Sequence, residues 1–226
     1  METKKYTLDE NDTKLSPNGR KFYRIIALRD FSNVKKGDKG GYIEKESNLS
    51  QTGNAWVYKS ALVFQDANIS DDAQILGNAL IYGNAQIFGN AIIAGTANVY
   101  DNAQVFGNAH VYGTAFVFGS AWVYGDACVS ENAKVFQNAI VCDNAQIYGN
   151  AKVFGNAHVY GTAFVFGSAW VYGNARVFGN AQVFGNASVY DNAFVFDNAE
   201  VYGNALVFGY ASVSGTQRIS DNAQVY

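Results

Sequence analysis

Few side chains in this 226-residue sequence could do chemistry: two histidines, His110 and His158, two cysteines, Cys128 and Cys142, and a set of carboxylates spaced at multiples of six. Imidazole is the usual general base near neutral pH and a common metal ligand, but a three-imidazole zinc site needs one histidine more than the two present. Both histidines belong to one phrase, GNAHVYGTAFVFGSAWVYG, which occurs at 107–125 and again at 155–173, a shift of 48 residues. Asp71, Asp101, Asp143, Asp191 and Asp197 occupy a slot that normally holds glycine. A carboxylate at such a turn caps nearby backbone amides. Asp191 and Asp197 fall on successive turns, so they do not converge on one cation. The glycine-rich turn at 35–41 lacks the GxxxxGK[ST] spacing of a nucleotide loop. These residues predict no catalytic side chain, no metal and no cofactor.

What must position them is a six-residue phrase, V-(F/Y)-G-N-A-x. Val or Ile stands at position 57 and at every sixth position up to 225, 29 positions without a miss. Within A-x-V-(F/Y) the alternation has period two, a strand with Ala and Val/Ile facing inward. The G-N that follows is a corner, and Asn, which fills its slot in 18 of 29 hexads, is the expected bearer of the left-handed αL conformation. Three sides close a triangle. One coil then takes 18 residues and stacks on the next at about 4.8 Å, giving a rod on the order of 45 Å and about ten coils. A shift of 48 residues is two coils and two sides, so His110 and His158 point in different directions. Cys128 and Cys142 fall on different sides of one coil, too far apart for a disulfide.

The phrase resembles the hexapeptide repeat of left-handed parallel β-helices, the superfamily of bacterial acyltransferases. The resemblance covers about residues 43–226 and implies an all-β, triangular solenoid. It departs in one slot: the residue after the aliphatic one, often Gly in the transferases, is here mostly Phe or Tyr. The R-(I)-x-A-L-R-D-F and G-D-x-G-G-Y-I-E wording of the head is more similar to uncharacterised bacterial and phage repeat proteins. The transferases use a histidine and extruded loops that build an acyl-donor cleft; this repeat run has no insertion to extrude.

Composition narrows the class. Hydrophobic residues make up 49% of the chain, which excludes a disordered polymer, and no apolar run approaches the roughly 18 residues of a membrane span. Two free thiols and a polar N-terminus suggest a cytoplasmic protein. Residues 1–59 hold 12 Lys/Arg and 8 Asp/Glu, whereas residues 60–226 hold 4 and 11, so a basic head precedes an acidic rod. An acidic rod argues against nucleic-acid binding along its length. In the head, Pro17-Asn18-Gly19 and the turn at 35–41 predict a small β-hairpin cap over residues 1–42, with the solenoid spanning 43–226 and two extra residues, Gln51 and Thr52, bulging from one corner. Arg20, Lys21, Lys35, Lys36 and Lys39 are a candidate patch for an anionic partner.

Sorting the aromatic slot by threes separates three columns. One is unbroken: Phe64, Tyr82, Tyr100, Phe118, Phe136, Phe154, Tyr172, Tyr190, Phe208 and Tyr226. Another is interrupted at Leu76, Ala94, Ser130 and Ser220, and the third at Ser70, Cys142 and Ser214. Ten rings flanked by Leu62, Leu80, Phe116, Trp170 and Leu206 exceed the apolar patch a soluble monomer usually exposes. The expectation is a non-catalytic interaction or scaffold rod, of phage-related type and binding a host protein or a second copy. Association would be side by side through these rings, or end to end through the last coil, where Gln217 replaces the inward Ala. An acyltransferase-like enzyme and a rod that stacks sugars on its tyrosines are the alternatives.

Overall fold

The computed structural model describes residues 4–226. Its head comprises β1 (Tyr6–Leu15), β2 (Lys21–Ala27) and β3 (Lys39–Ile43). β1 and β2 pair antiparallel across the turn at 16–20, where the Gly19 N–H donates to Ser16 O at 2.9 Å. β2 and β3 pair antiparallel, with Tyr23 opposite Ile43. The head is therefore a three-stranded meander, one strand more than the expected hairpin. β1 escapes a pattern reading because its centre, Asp9 to Asp12, is polar and its ladder slips register between Asp9 and Thr13. Nor does the head merely sit over the rod. β3 also pairs in parallel with β5 (Leu62–Val63), Tyr42 against Leu62, so one strand straddles the 42/43 division and feeds the meander into a solenoid sheet.

From β4 (Trp56–Val57) to β32 (Gln224–Val225) the chain makes 29 two-residue strands at six-residue steps. They assemble into parallel sheets of 13, 10 and 9 strands, the largest including the meander. Each strand pairs with the one 18 residues on, as Phe116 with Lys134. No helix among the described residues is long and apolar enough to cross a membrane. The interior needs only two residue types. Every Ala and Val/Ile slot from Ala55 to Val207 is at most 1% exposed. Val and Ile suit a strand because their branched side chains lose little rotamer freedom there. Each contributes about 1.5–3 kcal/mol when fully buried, and the small Ala beside it leaves room for the opposite side of a narrow triangle.

The corners differ from expectation in one respect. Positive φ belongs to the residue before the Asn slot: Gly77 has φ 68° and Asp71 56°. Asparagine does another job. Its N–H donates to the next coil, Asn84 to Asp101 O at 2.6 Å, and its side-chain amide, both donor and acceptor, forms ladders such as Asn84 Nδ2 to Asn102 Oδ1 at 3.0 Å and Asn90 to Asn108 at 3.0 Å. The carboxylates in the glycine slot cap backbone amides one coil on. Gly89, Gly119 and Gly161 donate to Asp71, Asp101 and Asp143 at 3.0, 3.1 and 3.0 Å, and Gly209 and Gly215 to Asp191 and Asp197 at 3.2 and 3.0 Å. A Cβ built on Gly83 would stand 2.7 Å from Asp101 N, so a side chain in this slot crowds the coil that follows. Up to Asp197, each non-glycine residue of the solenoid with positive φ has a glycine 18 positions on.

The first coil is plugged by the head. Tyr6, Ile25, Phe31 and Trp56 are buried there, and Phe31 and Trp56 meet edge to face at 5.3 Å. The extra residues at the corner hold the plug. Gln51 Oε1 accepts from the N–H of Lys5 and of Tyr6 at 2.8 and 3.3 Å, while Lys5 Nζ donates to Thr52 O and Ala55 O at 3.1 and 3.0 Å. Lys5 is fully buried, and this burial, with the Arg29 charge second, lowers its pKa to about 8.

Candidate functional site

The unbroken aromatic column runs along the 13-stranded sheet, each ring directly after an inward Val or Ile. Its nine successive contacts are all stacked; eight have centroids 4.8–5.1 Å apart, and the last, Phe208 to Tyr226, is 5.6 Å. Centroids at this distance with near-parallel planes are offset stacks, the arrangement aromatic quadrupoles prefer. The rings present edges rather than faces to solvent. All are half-buried except Tyr226, which is 85% exposed. Burial, the leading cause, raises the pKa of Tyr82, Tyr100 and Tyr172. Beside the column, Trp170 is 40% exposed and stands edge-on to Phe154 and Tyr172 at 6.1 and 6.5 Å.

The other two columns show what a gap does. Tyr112, between Ala94 and Ser130, is 45% exposed. At the other gap, Cys142 is buried beside Tyr124. Its thiol pKa is raised, first by burial, and the thiol itself is the largest cause pushing the Tyr124 pKa up to about 12.

The remaining candidate residues are dispersed. His110 lies on β13 (His110–Val111) of the 10-stranded sheet and His158 on β21 (His158–Val159) of the 9-stranded one. Burial, then the charge of Arg176 on the next rung, lowers the His158 pKa. Both cysteines are free, Cys128 on the 10-stranded sheet and Cys142 following a strand of the 9-stranded one. In the head, Arg20 pairs with Glu44 at 2.8 Å, Lys35 with Asp30 at 3.2 Å, and Lys39 with Asp12 at 3.4 Å and Asp9 at 3.9 Å. Lys21 lies over the Tyr23 ring, and the Lys36 N–H donates to Asp30. Arg20 and Lys21 stand at the start of β2 and Lys39 opposite Ile26 near its end, roughly 17 Å along the strand, so these five cations do not form one patch.

One constellation falls outside the motifs above, although its spacing is legible. Lys134 and Lys152 are 18 residues apart and therefore adjacent on one face.

The repeats have counterparts elsewhere. Residues 145–161, 169–185 and 199–215 match the family described as YdcK Beta solenoid repeat. The chain is 39% identical over 57 residues to the "Uncharacterized acetyltransferase YdcK" of Escherichia coli (strain K12), a match covering 25% of this chain and 17% of that protein. The chain thus matches under a fifth of the length of that relative. With the 18-residue parallel register, these matches make the chain a parallel β-solenoid of hexapeptide repeats, similar in part to the YdcK repeat.

Proposed function

We propose that the chain is a non-catalytic interaction rod that docks a second copy, or a protein partner, along the 13-stranded sheet. The observation that supports this reading is the continuity of the ten-ring column, with apolar side chains standing beside it at Leu62, Leu80, Trp170 and Leu206. The ring faces are spent on one another, so the docking surface consists of ring edges and these flanking side chains. Replacing Leu62 and Leu80 with Glu places charge on that surface while leaving the stack and the interior intact. Light scattering of the unaltered chain should give a mass above one chain, and the double variant should reduce it to one chain with an unchanged β-sheet spectrum. A monomeric unaltered chain that also captures no partner, or a variant that still associates, overturns the reading.

A second reading, acetyl transfer, is favoured by the name of the E. coli relative. Against it stands the unbroken six-residue step from β4 to β32, which extrudes no loop, and the placement of His110 and His158 on different sheets. Turnover of an acetyl-CoA donor that disappears in His110→Ala or His158→Ala would replace the first reading with the second.

A further inference from the structure

Four successive rungs of the 13-stranded sheet carry Phe116, Lys134, Lys152 and Trp170 in the outward slot. We infer that this row is a binding site for an oligosaccharide of acidic sugars, its carboxylates held at Lys134 and Lys152 and its sugar rings laid against Phe116 and Trp170. The inference does not depend on the docking role of the ring column.

The charge placement is the first argument. Residues 60–226 contain only four Lys/Arg against 11 Asp/Glu, yet two of the four are neighbours. Like charges directly opposite across strands destabilise a sheet. The cost is not relieved by a carboxylate, since neither lysine makes an ion pair among the described residues, whereas Arg218 pairs with Glu200 at 3.2 Å. Instead the ammonium groups diverge onto rings: Lys134 Nζ is 5.3 Å from the Phe116 centroid and Lys152 Nζ 4.4 Å from that of Trp170. A groove beside the two cations is left facing solvent, with Phe116 in its wall.

The borders of the row identify the ligand. On one side, Phe116, Lys134 and Lys152 line a groove of about 390 Å³ together with Thr114, Asn132 and Asn150. Thr114 and Asn132 are linked by a hydrogen bond, and Asn132 Nδ2 donates to Asn150 Oδ1 at 3.2 Å, while Asn150 Nδ2 has no acceptor among the described residues. Hydroxyl and amide edges of this kind donate and accept, as sugar hydroxyls require. On the other side the stacked column supports Trp170 edge-on, fixing its indole. The lysines take one face of each ring, so the sugars meet the rings elsewhere: Trp170 also lines a second groove with Ser168, Asn186 and Ser188, and the weakly positive C–H bonds of a pyranose match the negative face of an aromatic ring. A single-stranded nucleic acid would also seek cations and rings. It demands more cations than two, however, and the rod around the site is acidic.

The row is also a product of the copied block. Phe116 comes from the copy at 107–125 and Trp170 from the copy at 155–173. An offset of two coils and two sides brings the phenylalanine of one copy and the tryptophan of the other to the same sheet, with the lysines between them.

The test uses the full chain and a tetrasaccharide of galacturonic acid, followed by calorimetry and tryptophan fluorescence in about 50 mM salt. We expect saturable binding that weakens as salt rises, because exposed charge pairs are screened. Lys134→Gln combined with Lys152→Gln should lose at least tenfold in affinity, and Trp170→Ala at least fivefold, with unchanged circular dichroism. The fluorescence change should survive Trp122→Phe, which lies on another sheet. The proposal is overturned if the unaltered chain fails to bind at millimolar tetrasaccharide, if the double lysine variant binds equally well, or if the neutral cellotetraose matches the acidic sugar. It is also overturned if inorganic phosphate alone, or a single-stranded oligonucleotide, binds more tightly than the tetrasaccharide.

Discussion

The aromatic slot of the 13-stranded sheet is filled without a gap, while the same slot on the other two sheets is interrupted by Ala94, Ser130 and Cys142, among others. Strand register is identical on all three: Ile92 pairs with His110 beside Ala94 as regularly as Phe116 pairs with Lys134 beside Phe118. The interior ladder of Ala and Val/Ile therefore sets the coil, and the rings are an external layer that adds stability without specifying geometry. Where the layer is continuous, each ring covers its neighbours; at Tyr112, with a gap on both sides, the ring stands exposed.

Four measurements would break or sharpen that contrast. Phe136 is stacked on both sides, at 4.9 Å from Phe118 and from Phe154. Phe136→Ala should cost about 2–3 kcal/mol in urea unfolding, below the value for a core phenylalanine because the ring is half-buried. Tyr112→Ala should cost less than about 1 kcal/mol; equal losses would mean the stack contributes nothing of its own. At the corners, Gly83 lies between Gln65 and Asp101, whose backbone N it approaches, whereas Gly95 lies between Gly77 and Gly113. A Cβ on either glycine meets the next coil's backbone at 2.7 Å, but Gly113 has no side chain to stand in the way of a shift, so Gly83→Asp should cost about 2 kcal/mol of backbone strain and Gly95→Asp less; equal costs would remove the pattern of non-glycine followed by glycine. Filling a gap should do the reverse of opening one. Ser130→Phe, between Tyr112 and Tyr148, should raise stability by about 1 kcal/mol, and a loss would show that the gap is a tight fit. The smallest effect is spectroscopic. The adjacent Cys142 thiol and burial push the Tyr124 pKa up to about 12. Because this lies above the ordinary value of about 10, its contribution to stability is full below about pH 10 and is lost as pH rises toward 12. Cys142→Ala should bring the absorbance titration of Tyr124 back toward 10; an unmoved titration would assign the shift to burial alone.

Much of this was legible in the sequence, for a physical reason. A solenoid turns a spacing of 18 into a contact, so columns, the separation of the histidines and the unbroken aromatic row follow from counting. What counting could not supply depends on local conformation or on burial. Gly and Asn both tolerate positive φ, and only the backbone shows that the first of the pair takes it, releasing Asn84 and Asn102 for a side-chain ladder. β1 is masked by its polar centre. Lys5 reads as a solvated terminal charge, and its burial emerges only when the bulge at Gln51 and Thr52 folds around it. The half-buried state of Phe136 likewise depends on the rings above and below it, which lie 18 residues away in each direction.

The 18-residue register has a genetic consequence. Inserting or deleting one hexad preserves the interior but acts as a screw operation, rotating everything downstream by a third of a turn, so the outward decoration before and after the change no longer lines up. Only a change of three hexads lengthens the rod and leaves its faces aligned. The 48-residue offset between the copied blocks is not such a multiple, and it moved one painted pattern onto new walls. A family of rods growing in this way could change what its surfaces meet without altering a single buried residue.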